Sequence, residues 1–256
     1  MKIDRNKAEK TFLDYVSHYN AQDEKVRLKI EHTLRVAQLC DRIAASIGME
    51  GEDRDLAWLT GLLHDIGRFE QLKNYGTFID SQSIDHAVYG AGILFEQGKI
   101  RDFAAEDTED ELLRTAVNWH SAYRIPEELD ERTGKYCHIL RDADKIDILK
   151  VNVEFPLEEI YNVSTEELLS APVSPDVLQA FYEEHAVLRS LKMSVADHIV
   201  GHISLVYELV WPESLRIAKE QGFLEKMMGF RSGNPETEAA FEKIRTYMRA
   251  YLVRKG

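Results

Sequence analysis

Six side chains stand out for the chemistry they could perform together: His32, His64, Asp65, His86, His120 and Asp144. Five of them sit on an apolar stripe at helical spacing, and Asp65 adjoins one. His32 shares its stripe with Val36, Leu39 and Ile43, and His64 with Ala57 and Gly61. His86 lies with Gly90, Ile93 and Leu94, His120 with Leu113, Ala116 and Val117, and Asp144 with Leu140 and Ile148. Gathering imidazoles and carboxylates in an apolar interior is costly unless their charge is compensated. A divalent cation compensates it, taking neutral imidazoles and ionised carboxylates as ligands. Four histidines and two aspartates exceed what one tetrahedral ion uses. They suit two ions, about 3.5–4 Å apart, that share a carboxylate. In the stretch GLLHDIGRFE, Asp65 is the natural bridge: the adjacent His64 can hold one ion while the carboxylate spans both.

The elements that would carry these groups are helical, and the fold class expected is all-α. Periodicity predicts helices over 5–19, 24–47, 53–67, 85–97, 108–120, 134–151, 175–191, 195–210, 212–221 and 235–254, with no period-2 strand. Gly48 is a C-cap candidate, SVAD (194–197) has the form of a capping box, and Pro235 stands behind Asn234 at a helix start. The segment 69–85 reads as a long loop, whose Phe69, Tyr75 and Phe78 could cover a pocket. A seam rich in short fragments and prolines, 154–175, separates a helical body over 1–152 from a C-terminal helical extension over 153–256, expected to pack on it.

Bulk properties narrow the partners. The chain has 256 residues, 44% hydrophobic, enough for one large domain or a domain with an appended one. Its net charge of −13 repels a nucleic-acid polymer but leaves a small anionic substrate open. Two cysteines, Cys40 and Cys137, form no disulfide framework. With no signal-like start and no long apolar run, a cytoplasmic protein away from membranes is expected; a homodimer is compatible with everything above.

In this order, His32, His64-Asp65, His86, His120 and Asp144 resemble the HD superfamily of α-helical metal-dependent phosphohydrolases, in its two-metal form. LLHDIGR is similar to the central motif, and ILRDADKIDIL (139–149) to the helix bearing the last Asp. DHAVYGAGIL (85–94) and WHSAYRIP (119–126) match the extra histidines of the two-metal members, and the likeness covers about 26–150. The resemblance implies that His32, His64, Asp65 and Asp144 hold one divalent ion, and Asp65, His86 and His120 the other. Mn, Mg, Ni, Co, Zn and Fe are all candidates. It implies hydrolysis of a small phosphate ester, with Asp65 catalytic. Arg68, one helical turn past His64 where many relatives have Lys, is the catalytic residue expected to clamp the substrate phosphate, and Arg124 and Lys145, beside His120 and Asp144, are further candidates for contacting it. Subfamily signatures are missing: YRIP replaces the Gly-Tyr-Pro of cyclic di-guanylate hydrolases, and IGRFE lacks the Glu-Asp pair of stringent-response hydrolases. Two other readings share the ligand set, an HD-type di-iron oxygenase and an inactive ligand-binding helical protein.

Other polar residues carry weaker signals. His198 and His202 stand one turn apart in DHIVGHI, but Ile199 takes the place of the Glu in zinc proteases. They are read as structural, or as lining a pocket. His18, His138 and His185 belong to no constellation. On the helix of Asp144, Asp142 points elsewhere and Asp147 is a candidate for supporting a ligand.

Overall fold

The computed structural model describes residues 1–20, 22–161 and 163–255, and every regular element among them is helical. The chain is thus all-α, as its periodicity predicts. Two compact units divide inside one long helix, Met1–Asp144 and Lys145–Gly256.

The first unit contains α1 (Arg5–Val16), α2 (Glu24–Ser46), α3 (Gly51–Leu63), α4 (Ile66–Tyr75), α5 (His86–Ala91), α6 (Ile100–Phe103), α7 (Asp110–Trp119) and the start of α8 (Glu131–Glu154). Asp85 caps α5 by accepting from the backbone N–H of Ala87 and Val88, which fixes His86 as the first helical residue. α5 then continues as a π turn over Gly92–Glu96. Its core includes Phe12, Leu59, Leu62, Phe69, Leu94 and Val117, all buried; Phe12 meets Phe69 edge-on at 5.9 Å.

Glycines set the two closest helix crossings. A Cβ on Gly61 would lie 2.7 Å from the Cα of Ala37, so α3 rests directly on α2, the close approach its place on the stripe allows. A Cβ on Gly67 would lie 2.4 Å from the carbonyl oxygen of His86 and 2.6 Å from the nitrogen of Gly90, so α4 meets α5 backbone to backbone.

The second unit holds the rest of α8, then α9 (Leu157–Tyr161), α10 (Thr165–Ser170), α11 (Pro175–Tyr182), α12 (Val195–Ser204), α13 (Pro212–Gln221), α14 (Phe223–Met228) and α15 (Pro235–Lys255). Ser194 and Asp197 form the capping box expected at the start of α12. Asn234 caps α15 by accepting from Glu236 and Thr237 N–H.

Four boundaries depart from the expected ones. The helix read over 53–67 breaks after Leu63, because Asp65 leaves helical geometry at φ −102°, ψ 15°. Residues 66–75 are helical rather than loop, and Gly76 ends α4 in the left-handed region at φ +69°. The helix read over 175–191 stops at Tyr182, and Glu184 follows at φ +60°. The one read over 195–210 ends at Ser204, where the winding tightens to a 3-10 turn over Leu205–Glu208.

Candidate metal centre

The break between α3 and α4 puts His64 and Asp65 at a junction where both side chains turn inward; both are buried. His64 donates from Nδ1 to the carbonyl of Gly61 at 2.7 Å, and His120 likewise to the carbonyl of Val117 at 2.7 Å. A carbonyl oxygen only accepts, so each ring carries its proton on Nδ1 and turns the Nε2 lone pair into the interior. His86 gives Nδ1 to the carboxylate of Asp80, 2.9 Å from Oδ2 and 3.0 Å from Oδ1, with the same consequence. Burial pushes His64 down to about 3 and His86 down to about 4, so both rings are neutral near pH 7.

These lone pairs face one another. Nε2 of His64 lies 3.3 Å from Nε2 of His32, and Nε2 of His86 lies 3.0 Å from Nε2 of His120. Asp144 Oδ1 sits 3.2 Å from His32 Nε2 and 3.9 Å from His64 Nε2. Asp65 divides its oxygens between the two groups. Oδ2 is 3.6 Å from His32 and 3.5 Å from His64, whereas Oδ1 is 3.4 Å from His86 and 3.8 Å from His120. Ligands about 2.1 Å from a common tetrahedral ion stand about 3.4 Å apart, the spacing met here. The donor set therefore fits metal: His32, His64 and Asp144, and His64, Asp65 and His120, are groups that could hold an ion. The geometry brings all six residues of the sequence-derived set to one place.

Burial alone would raise the Asp65 carboxyl, but the Lys29 ammonium, with the Arg68 guanidinium, holds it well below the usual carboxylate range. Asp144 is likewise held down, against the cost of burial, chiefly by its contact with His32. Both carboxylates are therefore ionised, as ligation requires.

Four supporting residues went unread in the sequence. Lys29, one turn before His32, donates from Nζ to Asp65 Oδ2 at 2.7 Å. Asp80 orients His86 and also accepts from Arg68 Nη1 at 2.7 Å. Gln71, fully buried, gives Nε2 to Asp80 Oδ1 at 3.0 Å and accepts from Arg68 Nη1 at 2.8 Å. Arg141 gathers the carbonyls of Trp119, His120, Ala122 and Tyr123, closing the C-terminal end of α7 behind His120.

Arg68 is drawn into this frame: Nη1 also donates to the carbonyl of Phe78 at 2.6 Å, and Nε stands 3.6 Å from Asp65 Oδ1. The Phe78 ring lies over both cations beside Asp65, 5.7 Å from Lys29 Nζ and 5.8 Å from the Arg68 guanidinium. The covering role expected of Phe78 has its geometry here, whereas Phe69 is core and Tyr75 is exposed. Arg124 lies on the exposed chain after His120 with its guanidinium over Tyr123, 4.5 Å from the ring centre. Lys145 follows Asp144 on α8 and is half-buried. Asp142 and Asp147 are buried.

Because Asp80 fixes the tautomer and angle of His86, Asp80→Ala should weaken the affinity of the His86–His120 pair for a divalent ion about 10–100-fold. Competition against a metallochromic chelator measures it; wild-type affinity would show that Asp80 orients nothing that matters.

Residues 30–149 match the family model of the HD domain. A stretch of 49 residues is 39% identical to the 3′3′-cGAMP-specific phosphodiesterase 1 of Vibrio cholerae serotype O1. That stretch covers 19% of this chain and only 11% of the relative. No solved structure matches the chain.

Proposed function

We propose that this chain, which carries an HD domain across residues 30–149, is a hydrolase of small phosphate esters that depends on two divalent metal ions. One observation carries the reading: the lone pairs of His86 and His120 face each other 3.0 Å apart, with both ring protons already committed elsewhere. Such a pair repels unless a cation lies between the rings and Asp65. His32, His64, Asp144 and Oδ2 of Asp65 would hold one ion, and His86, His120 and Oδ1 of Asp65 the other. Bound there, such ions supply hydroxide from water near neutral pH and positive charge against the phosphoryl oxygens.

The chain's own residues do the rest. Asp65 stays ionised at the centre. Lys29 and Arg68 flank it on opposite oxygens and offer N–H donors to the phosphate, Arg68 through Nη2 because Nη1 is committed to Gln71, Phe78 and Asp80. Phe78 shields this charged pair from bulk water, which strengthens each contact. Arg124 and Lys145 remain candidates for contact with outer parts of a substrate.

The Vibrio relative supports hydrolysis of a phosphodiester and puts 3′3′-cGAMP among the first substrates to screen, beside mononucleotides and phosphorylated metabolites. The test is elemental analysis of freshly purified protein, then a screen of phosphomonoesters and phosphodiesters with Mn, Mg, Ni, Co, Zn and Fe. The expected result is two ions per chain, and hydrolysis that a folded His64→Ala variant lacks. An obligatory iron pair that consumes oxygen, without hydrolysis of any ester, would replace this reading with oxidation.

Lys29 gives a narrower prediction. A hydrogen bond to a charged group is worth about 1.5–3 kcal/mol, or about 10–150-fold in rate. Lys29→Met should therefore keep its metal and lose about that factor in kcat/KM on phosphate esters. An unchanged kcat/KM with wild-type metal content would limit Lys29 to balancing the charge of Asp65.

A further inference from the structure

The second unit contains a group of basic side chains that none of the chemistry above uses. Lys192, just before α12, is half-buried, and among the described residues its ammonium makes no hydrogen bond or ion pair, its backbone N–H alone donating to the Arg189 carbonyl. Its stem lies across Gly201 of α12: a Cβ there would stand 2.3 Å from Cε and 2.5 Å from Nζ. Gly201 is flanked on the same helix by His198 and His202, both also half-buried. Tyr161 of α9 stacks beside them, its ring centre 5.5 Å from His198 and 6.1 Å from His202.

The hydrogen bonds here fix which atoms are available. Asn152 gives its amide N–H to the Ile148 carbonyl at 2.9 Å, so its oxygen accepts from Tyr161 at 3.0 Å. With its only proton spent, Tyr161 accepts from His202 Nδ1 at 2.8 Å, leaving Nε2 of that ring without a partner among the described residues. The nearby carboxylate is already occupied. Asp197 accepts from Ser174 N and Oγ, Met193 N and Ser194 N, at 2.7–3.1 Å. Lys192, held down to about 8 by burial and by Arg189, thus lies beside two imidazoles with no anion paired to it. A half-buried ammonium with no partner is costly, and an oxyanion with several acceptor oxygens answers it.

We propose that Lys192, His198 and His202, set against Tyr161 and seated by Gly201, form a binding site for a phosphate group that shares no residue with the metal centre. The ammonium donates to one phosphate oxygen, and Nε2 of the neutral His202 ring accepts from a phosphate O–H.

The test uses the full chain, stripped of metal by a chelator, with inorganic phosphate as the probe and sodium chloride matched for ionic strength. Phosphate at ten times its Kd should raise the wild-type Tm by about 3–6 °C. Lys192→Met removes the charge, and Gly201→Ala keeps it but displaces the ammonium; both should lose the shift. Asp65→Asn, which alters only the metal centre, should retain it. A phosphate effect equal to that of chloride, or one that survives both substitutions, overturns the site. Should either variant not fold, long-range proton–nitrogen NMR of the wild-type imidazoles decides. His198 and His202 resonances that stay fixed as phosphate is added refute the proposal.

Discussion

Exchanging Asp65 for asparagine should reduce the metal content from two ions per chain to at most one, and lower turnover of any phosphate ester about a thousandfold or more. The reason lies in how the carboxylate is shared. One oxygen faces His32 and His64, and the other faces His86 and His120. An amide offers one acceptor and one NH2 group, so one set of imidazole lone pairs would meet hydrogens instead of a ligand oxygen. The side chain also loses the negative charge that Lys29 holds ionised. A thousandfold loss corresponds to about 4 kcal/mol of transition-state stabilisation, within the several kcal/mol that metal ions contribute. The fold should persist, because the packing of α3 on α2 rests on Gly61, Ala37 and Cys40, not on Asp65. Elemental analysis, circular dichroism and steady-state kinetics on one preparation check all three statements. Retention of two ions with kcat/KM within tenfold of wild type would remove Asp65 from the centre of the mechanism.

The six ligand candidates were legible because helical periodicity is local: a stripe such as Leu113, Ala116, Val117 and His120 states its own inward face. The break at His64–Asp65 was not legible, since HDIGR continues the spacing of α3 without interruption. It is the packing of α4 on α5, through Gly67 and Gly90, that turns the chain there. Asp80 was hidden for a different reason. Its contact with His86 depends on how the chain returns after α4, and no periodicity reports that return. Lys29 stands one turn before His32 and could have been placed on its side of α2. Among the surrounding charges of EKVRLKIEH, nothing distinguished it from a solvated surface residue. Arg141 is similar, because its role is set by the carbonyls at the end of α7, which the sequence does not display. Ligands were thus readable from their own helices, whereas the groups that orient them depend on contacts between elements.

That division makes Gly67→Ala the most informative change away from the ligands themselves. A methyl group at this position would stand 2.4 Å from the carbonyl oxygen of His86 and 2.6 Å from the nitrogen of Gly90. Both are backbone atoms, so no flexible side chain can move aside and the two helices must separate. Overpacking of this kind costs about 1–3 kcal/mol, and chemical denaturation should show a loss in that range. The displacement falls first on His86, the opening residue of α5, and on its bond to Asp80. His32, His64 and Asp144 are carried by neither α4 nor α5, sitting on α2, at the end of α3 and on α8. The variant should therefore keep one ion near wild-type affinity and bind the other at least about tenfold more weakly. Both ions weakened equally would mean that the two groups of ligands move as one rigid body. Neither weakened would mean that the α4–α5 contact supports the fold without aiming His86.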